Sequence, residues 1–164
     1  MSKNNPIHLI QYSATGVLFY TAYENAEEQF SISTLVGPPE MRIHTKTTTY
    51  LVKTMKQQPV INSRRIIQNE CGETLATLRK CKDNEYLLQD IEGELPIVRE
   101  DHCFYDKSDE QEVFCAKRIE NLRDLPECYR RQGYDLTYGY QVAFSERLSE
   151  QRKMWICSFP MLWL

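Results

Sequence analysis

Apolar and polar residues alternate along this chain in short runs, each closed by Gly, Pro, Asn, Asp or Ser. Ile7–Tyr12 and Val17–Tyr23 flank Ser13-Ala14-Thr15-Gly16, which reads as a tight turn between two strands. Phe30–Val36 alternates until Gly37-Pro38-Pro39, where two prolines remove two backbone donors and fix φ. Thr47–Met55 is rich in β-branched and aromatic residues and stops at Gln57-Gln58-Pro59. Arg65–Gln68, Glu73–Arg79, Glu85–Gln89, Leu95–Val98, Cys103–Tyr105 and Glu112–Lys117 continue the strand pattern. The strongest signal is Tyr134, Leu136, Tyr138, Tyr140, Val142 and Phe144, a period-2 run that predicts one strand face.

Helical signals are few. Asp124–Gln132 reads as a loop or short helix with Pro126 in a first turn. Ser145–Lys153 is polar and suits a helix capped by Ser145, with Phe144, Leu148, Gln151 and Trp155 on one face. Met154–Leu164 is the most apolar stretch, and Pro160 breaks it, which predicts a buried strand or a helix-to-strand segment. No βαβ crossover fits between the runs, so the sheet is expected to be antiparallel. The expectation is an all-β, mainly antiparallel fold: a closed barrel or highly curved sandwich of about ten to twelve short strands. It carries at most one or two short helices, in a single domain over residues 1–164.

A short unit occurs twice. Ile66-Ile67-Gln68-Asn69-Glu70-Cys71-Gly72-Glu73 and Leu87-Leu88-Gln89-Asp90-Ile91-Glu92-Gly93-Glu94 share two apolar residues, Gln, Asn or Asp, two variable positions and Gly-Glu. Asx at i with Gly at i+3 suits a type I turn whose Gly takes φ > 0 and forms a bulge. Gln68–Gly72 and Gln89–Gly93 are therefore expected hairpin turns. Tyr12-Ser13-Ala14-Thr15-Gly16 and Tyr105-Asp106-Lys107-Ser108-Asp109 are weaker copies.

Hairpins of this kind in a chain of about a dozen strands resemble the tubby, LURP-one-related and phospholipid-scramblase group, most clearly over residues 60–120. The resemblance implies a closed twelve-stranded antiparallel barrel around an apolar helix near the C-terminus. It also implies a binding role, since tubby-like members bind phosphoinositide headgroups through basic surface residues and others are interaction modules. The short, Pro160-interrupted apolar segment departs from that pattern.

Charge narrows the function classes. The chain of 164 residues has a net charge of −3, which disfavours nonspecific nucleic-acid binding as a main role. The charge is uneven: residues 42–82 hold nine Lys or Arg against two Glu, and residues 83–128 hold five against fourteen Asp or Glu. The densest basic pairs, Arg64-Arg65 and Arg79-Lys80-Cys81-Lys82, fall at the two open ends of the first hairpin. Arg64, Arg65, Arg79, Lys80 and Lys82 are the expected anion or lipid-headgroup patch. The start of the chain lacks a signal-peptide pattern and no run reaches membrane-span length, so a cytoplasmic protein, not integral to a membrane, is expected.

Catalytic and metal patterns are weak. The six Cys (71, 81, 103, 115, 128 and 157) lack the C-x₂₋₄-C spacing of a zinc site and are read as reduced thiols. Cys103 beside His102 would face the opposite side of a strand. Cys103 or Cys115 paired with His8 or His44 is the remaining nucleophile arrangement. Asp106-Lys107-Ser108-Asp109 fails as a calcium loop. No nucleotide-binding or hydrolase motif is present, and no cofactor or metal is expected. The reading is a non-enzymatic intracellular binding or adaptor module that contacts a protein partner or anionic lipid headgroups. The alternatives are an enzyme with a cysteine nucleophile or dispersed Cys/His metal site, and an oligomeric structural protein using its apolar C-terminus.

Overall fold

The computed structural model describes residues 6–14, 17–34, 40–55 and 64–158. Twelve strands follow one another: β1 (Ile7–Ala14), β2 (Val17–Glu24), β3 (Glu27–Thr34), β4 (Glu40–His44), β5 (Thr49–Met55) and β6 (Arg64–Gln68) make the first half. β7 (Thr74–Lys82), β8 (Glu85–Asp90), β9 (Gly93–Glu100), β10 (Cys103–Asp106), β11 (Glu112–Arg118) and β12 (Asp135–Phe144) make the second. Each strand pairs antiparallel with its sequence neighbours, and β12 closes on β1 with Leu9 opposite Tyr140. Closure leaves no strand edge unpaired. One helix, α1 (Glu150–Cys157), and two single 3₁₀ turns, Leu122–Asp124 and Glu127–Tyr129, complete the described chain. No described helix is long and apolar enough to cross a membrane.

The expected all-β antiparallel barrel is therefore the observed one. β4 was not expected: its inward Met41 and Ile43 alternate with Glu40, Arg42 and His44, a pattern too short to stand out. Thr15-Gly16, Gly37-Pro38-Pro39 and Gln57-Gln58-Pro59 lie outside the described residues, as do 159–164.

A sequential antiparallel barrel has two ends. The hairpin turns after β2, β4, β6, β8 and β10 and the segment 145–149 gather at the lower end; the opposite strand ends form the upper one. The two repeated units are both lower turns. Asn69 Oδ1 accepts from the N–H of Cys71 and Glu73, and Gly72 has φ +84°. Asp90 Oδ1 accepts from Glu92 N–H at 3.0 Å, and Gly93 has φ +114°. In the weaker copy Asp106 Oδ1 accepts from Ser108 N–H, but Glu110, not Asp109, takes positive φ.

The barrel wall alone cannot fill its interior. Side chains fill a barrel of about eight strands, and twelve leave a wider lumen. Leu9, Ile32, Ile43, Val52, Ile67, Leu88 and Val142 point inward and pack with Trp155, Ile156 and Cys157 of α1 in one buried cluster. The residual void between Ile156 and Leu78, Tyr86, Ile97, Phe104 and Phe114 is about 10 Å³ and wholly apolar. The helix begins later than expected: Ser149, not Ser145, caps it by accepting from Arg152 N–H. Ser145 instead accepts from Arg147 N–H.

Charge pins the helix to the lower turns. Arg152 binds Asp90 through Nε and Nη2 at 2.8–3.2 Å, and Nη2 also donates to the Gly93 carbonyl. The hydrogen-bonded Asp90 carboxylate holds the Arg152 guanidinium above its ordinary pKa range. Arg147 reaches Asp106 at 3.2 Å and Asp109 at 2.7 Å. Asp90 and Asp106 thus serve twice, once as turn residues and once as sockets for arginines that flank or begin α1.

A second apolar layer lies outside the wall. The segment carrying the 3₁₀ turns folds over β12, β1 and β2, and Tyr129 packs with Ile10, Tyr12 and Tyr23. Tyr12 donates to the Tyr129 carbonyl and shares a 2.8 Å hydroxyl contact with Tyr23. His8 Nδ1 meets the Tyr129 hydroxyl at 2.8 Å. This layer explains a correction to the period-2 run. The pairing shifts between Gln11 and Tyr12, leaving Thr137 as the extra residue of a bulge. Leu136 joins the outer layer, while Tyr140, Val142 and Phe144 line the interior.

Two measurements check this account. The Asp90 side chain is 1% exposed, so Arg152→Met should strand a buried carboxylate and lower urea-unfolding stability by about 3–5 kcal/mol. Arg152→Met combined with Asp90→Asn should lose less than the two single changes together. Burial lowers the His8 pKa below 6.5. The stability this confers is complete above pH 6.5 and is lost as pH falls through the lower folded value. His8→Asn should therefore flatten part of the stability decline below pH 6.5 seen in thermal unfolding.

Candidate functional site

Strand pairing brings the predicted basic residues to one end. Arg64 and Arg79 are direct cross-strand partners on β6 and β7, and Lys82 pairs with Glu85 where β7 meets β8. All five, Arg64, Arg65, Arg79, Lys80 and Lys82, lie at the upper end, as the hairpin reading required. They do not share one face. Alternation against inward Ile67 and Leu78 turns Arg64 and Arg79 outward and Arg65 and Lys80 inward.

The outward pair extends into a row that the sequence reading missed. Arg42 on β4 and Lys53 on β5 are exposed, and both alternate with inward residues, Ile43 and Val52. Arg42 pairs with Leu51, two positions from Lys53; Lys53 pairs with Ile66, two positions from Arg64. Diagonal neighbours of this kind lie about 7–8 Å apart. Arg42, Lys53, Arg64 and Arg79 therefore run obliquely across four adjacent strands, with Glu40 the register partner of Lys53. Among the described side chains none of these four cations forms an ion pair. The signal was present in the sequence only as a basic excess over residues 42–82, because the register needed to align four strands cannot be read from spacing.

Like charges directly opposite each other destabilise a sheet by fractions of a kcal/mol up to about 1 kcal/mol. Arg64 facing Arg79 therefore has no folding benefit, and the wall they share is locally positive.

The cysteines correct one expectation. Cys103 and Cys115 are not reduced thiols: they are opposite residues on β10 and β11, their Cα atoms 4.0 Å apart, and they form a disulfide. The sequence spacing of 12 gave no hint, because the bridge depends on strand register. Glu112 stands beside the two sulfurs, the single described group of three ligand-type side chains. A bonded disulfide offers no thiolate, and three groups fall short of a closed zinc shell. His8 and His44 are engaged elsewhere, His8 with Tyr129 and His44 with Ser33 at 2.9 Å. Cys157 is fully buried and desolvation raises its pKa to about 12, which leaves it unreactive. No cysteine–histidine dyad forms among the described residues.

Comparison with protein-family models, curated proteins and solved structures finds no match to this chain.

Stepwise alkylation followed by mass spectrometry should label Cys71 and Cys128, both exposed, first. Cys103 and Cys115 should label only after a reductant, and Cys157 only on unfolding. Labelling of all six thiols without reductant would remove the bridge.

Proposed function

We propose that the protein is a non-enzymatic binding module whose outer upper wall docks on an anionic lipid surface. The observation that carries this reading is the uncompensated Arg64–Arg79 cross-strand pair, continued by Lys53 and Arg42. Each cation near an anionic leaflet contributes about 1 kcal/mol, so four acting together give reversible docking that salt weakens. Rigid strands rather than a loop hold the cations, so the row meets a surface without a backbone ordering cost. The anionic leaflet of a cell membrane is the cytoplasmic one, and cytoplasmic residence belongs to the proposal.

Kinship with the tubby, LURP-one-related and phospholipid-scramblase group is part of the same reading. What supports it is the sequential twelve-strand barrel packed around α1, together with a basic wall on β4–β7. The Cys103–Cys115 bridge is the observation in tension with cytoplasmic residence, since disulfides are rare in reducing compartments.

Vesicle flotation tests the docking. The protein should float with vesicles containing phosphatidylserine or a phosphoinositide, and not with phosphatidylcholine alone. Arg64→Glu with Arg79→Glu should cut the bound fraction at least about tenfold, as loss and reversal of two such contacts implies. Unchanged flotation by that variant sinks the lipid reading, and capture by an acidic protein in its place would move the partner to the protein class.

A further inference from the structure

The upper mouth of the barrel carries a second set of cations on its inside. Arg65 alternates with buried Ile67, and its Nη1 lies 3.7 Å from the sulfur of Met41, an inward residue of β4. Its Nε is buried and has no hydrogen-bond partner. Burial pulls the Arg65 guanidinium below its ordinary range, with the Tyr20 phenol across the mouth opposing the shift. Lys80 alternates with buried Leu78 and pairs with inward Tyr86. On the far side, Tyr20, Gln11 and Tyr138 are successive register partners on β2, β1 and β12. The Arg118 guanidinium lies 4.5 Å over the Tyr138 ring.

No described carboxylate pairs with Arg65, Lys80 or Arg118. Asp135, at the tip of β12, lines a separate groove with Arg123, Arg130 and Arg131. The C-terminal end of α1 points toward the same mouth, but a helix end carries only about half a negative charge. That does not balance three cations, one of them substantially buried. At the lower end the same fold pairs its interior acids: Asp90 with Arg152 and Asp106 with Arg147.

We infer that the inner upper mouth is a binding site for a phosphate-class oxyanion, held by Arg65 with Lys80 and Arg118 at its rim and with Tyr20 and Gln11 as hydrogen-bonding groups. The described interior beneath is packed around Ile156 with about 10 Å³ of apolar space, so this site takes a compact anion or headgroup rather than an acyl chain. It rests on different residues from the outer row and stands whether or not that row docks on lipid.

The test uses the full chain and two sources of the anion. Inorganic phosphate is titrated by calorimetry against chloride of matched ionic strength, and vesicles containing phosphatidylinositol 4-phosphate are assayed by flotation. Arg65→Met should weaken whichever interaction the wild type shows by at least about tenfold, the loss of a charge-assisted forked contact. It should also raise the unfolding temperature without phosphate, because it removes a desolvated charge that has no described counterion. Arg65→Lys keeps the charge without the fork and should bind with intermediate affinity. Arg64→Glu with Arg79→Glu should leave the free-phosphate titration intact, which separates failure of the outer row from failure of the mouth. An Arg65-dependent response to free phosphate identifies a soluble anion, and one confined to vesicles identifies a headgroup. The inference is overturned if wild type and Arg65→Met respond alike to both probes, or if Arg65→Met lowers stability and phosphate has no effect on the wild type.

Discussion

The structure depends on filling a lumen that its own wall leaves open. Twelve strands enclose more space than inward side chains can occupy at close packing. Trp155, Ile156 and Cys157 supply the missing volume from α1. A helix inside a barrel meets wall on every side, so its tolerance for polar residues is small, and its charged groups must lie near the end where it enters. Arg147 and Arg152 do so, and the Asx turns at the lower rim receive them. Hairpin chemistry and core filling are thus one device, in which the carboxylate that shapes a turn also fixes the depth of the helix.

This explains why the repeated unit was legible and its purpose was not. Gln-Asx-x-x-Gly-Glu identifies a turn by local backbone rules, which sequence displays directly. That Asp90 would also bind Arg152, 62 residues away, depends on closure of the barrel. Asn69 occupies the same turn position without a charge and bonds only within its own hairpin. The period-2 run at 134–144 shows the opposite limit. Its alternation was real, but a bulge at Thr137 divides it between the outer layer and the core, and no residue type in the run announces the shift. The outer layer itself, built by Tyr129 on Tyr12 and Tyr23, needed a contact across more than a hundred residues.

The basic cluster is legible as composition, and strand alternation divides it between two faces. Arg64 and Arg65 are adjacent, so alternation must send them to opposite faces of the same strand. Arg79 and Lys80 divide in the same way on β7. The cluster is better described as a cationic end of the barrel with an outer wall and an inner mouth, each recruiting residues from elsewhere: Arg42 and Lys53 outside, Arg118 inside. Those partners lie on other strands, and register alone brings them in.

The asymmetry between the two ends is the feature that folding does not require. At the lower end every interior acid described above has an arginine partner, which is what the cost of burying charge predicts. At the upper end a fold serving stability alone would place apolar or paired residues where Arg65 and Lys80 stand, since both are flanked by aliphatic inward neighbours, Ile67 and Leu78. Cations without a described counterion lower stability there, a cost that the proposed anion contact would offset. The same reasoning applies to Arg64 opposite Arg79, where two like charges occupy a cross-strand position that any opposite-charge pair would stabilise. Both departures fall at one end of the molecule and carry one sign. The lower end is therefore where the barrel is held together, and the upper end is where the proposed anion contacts lie.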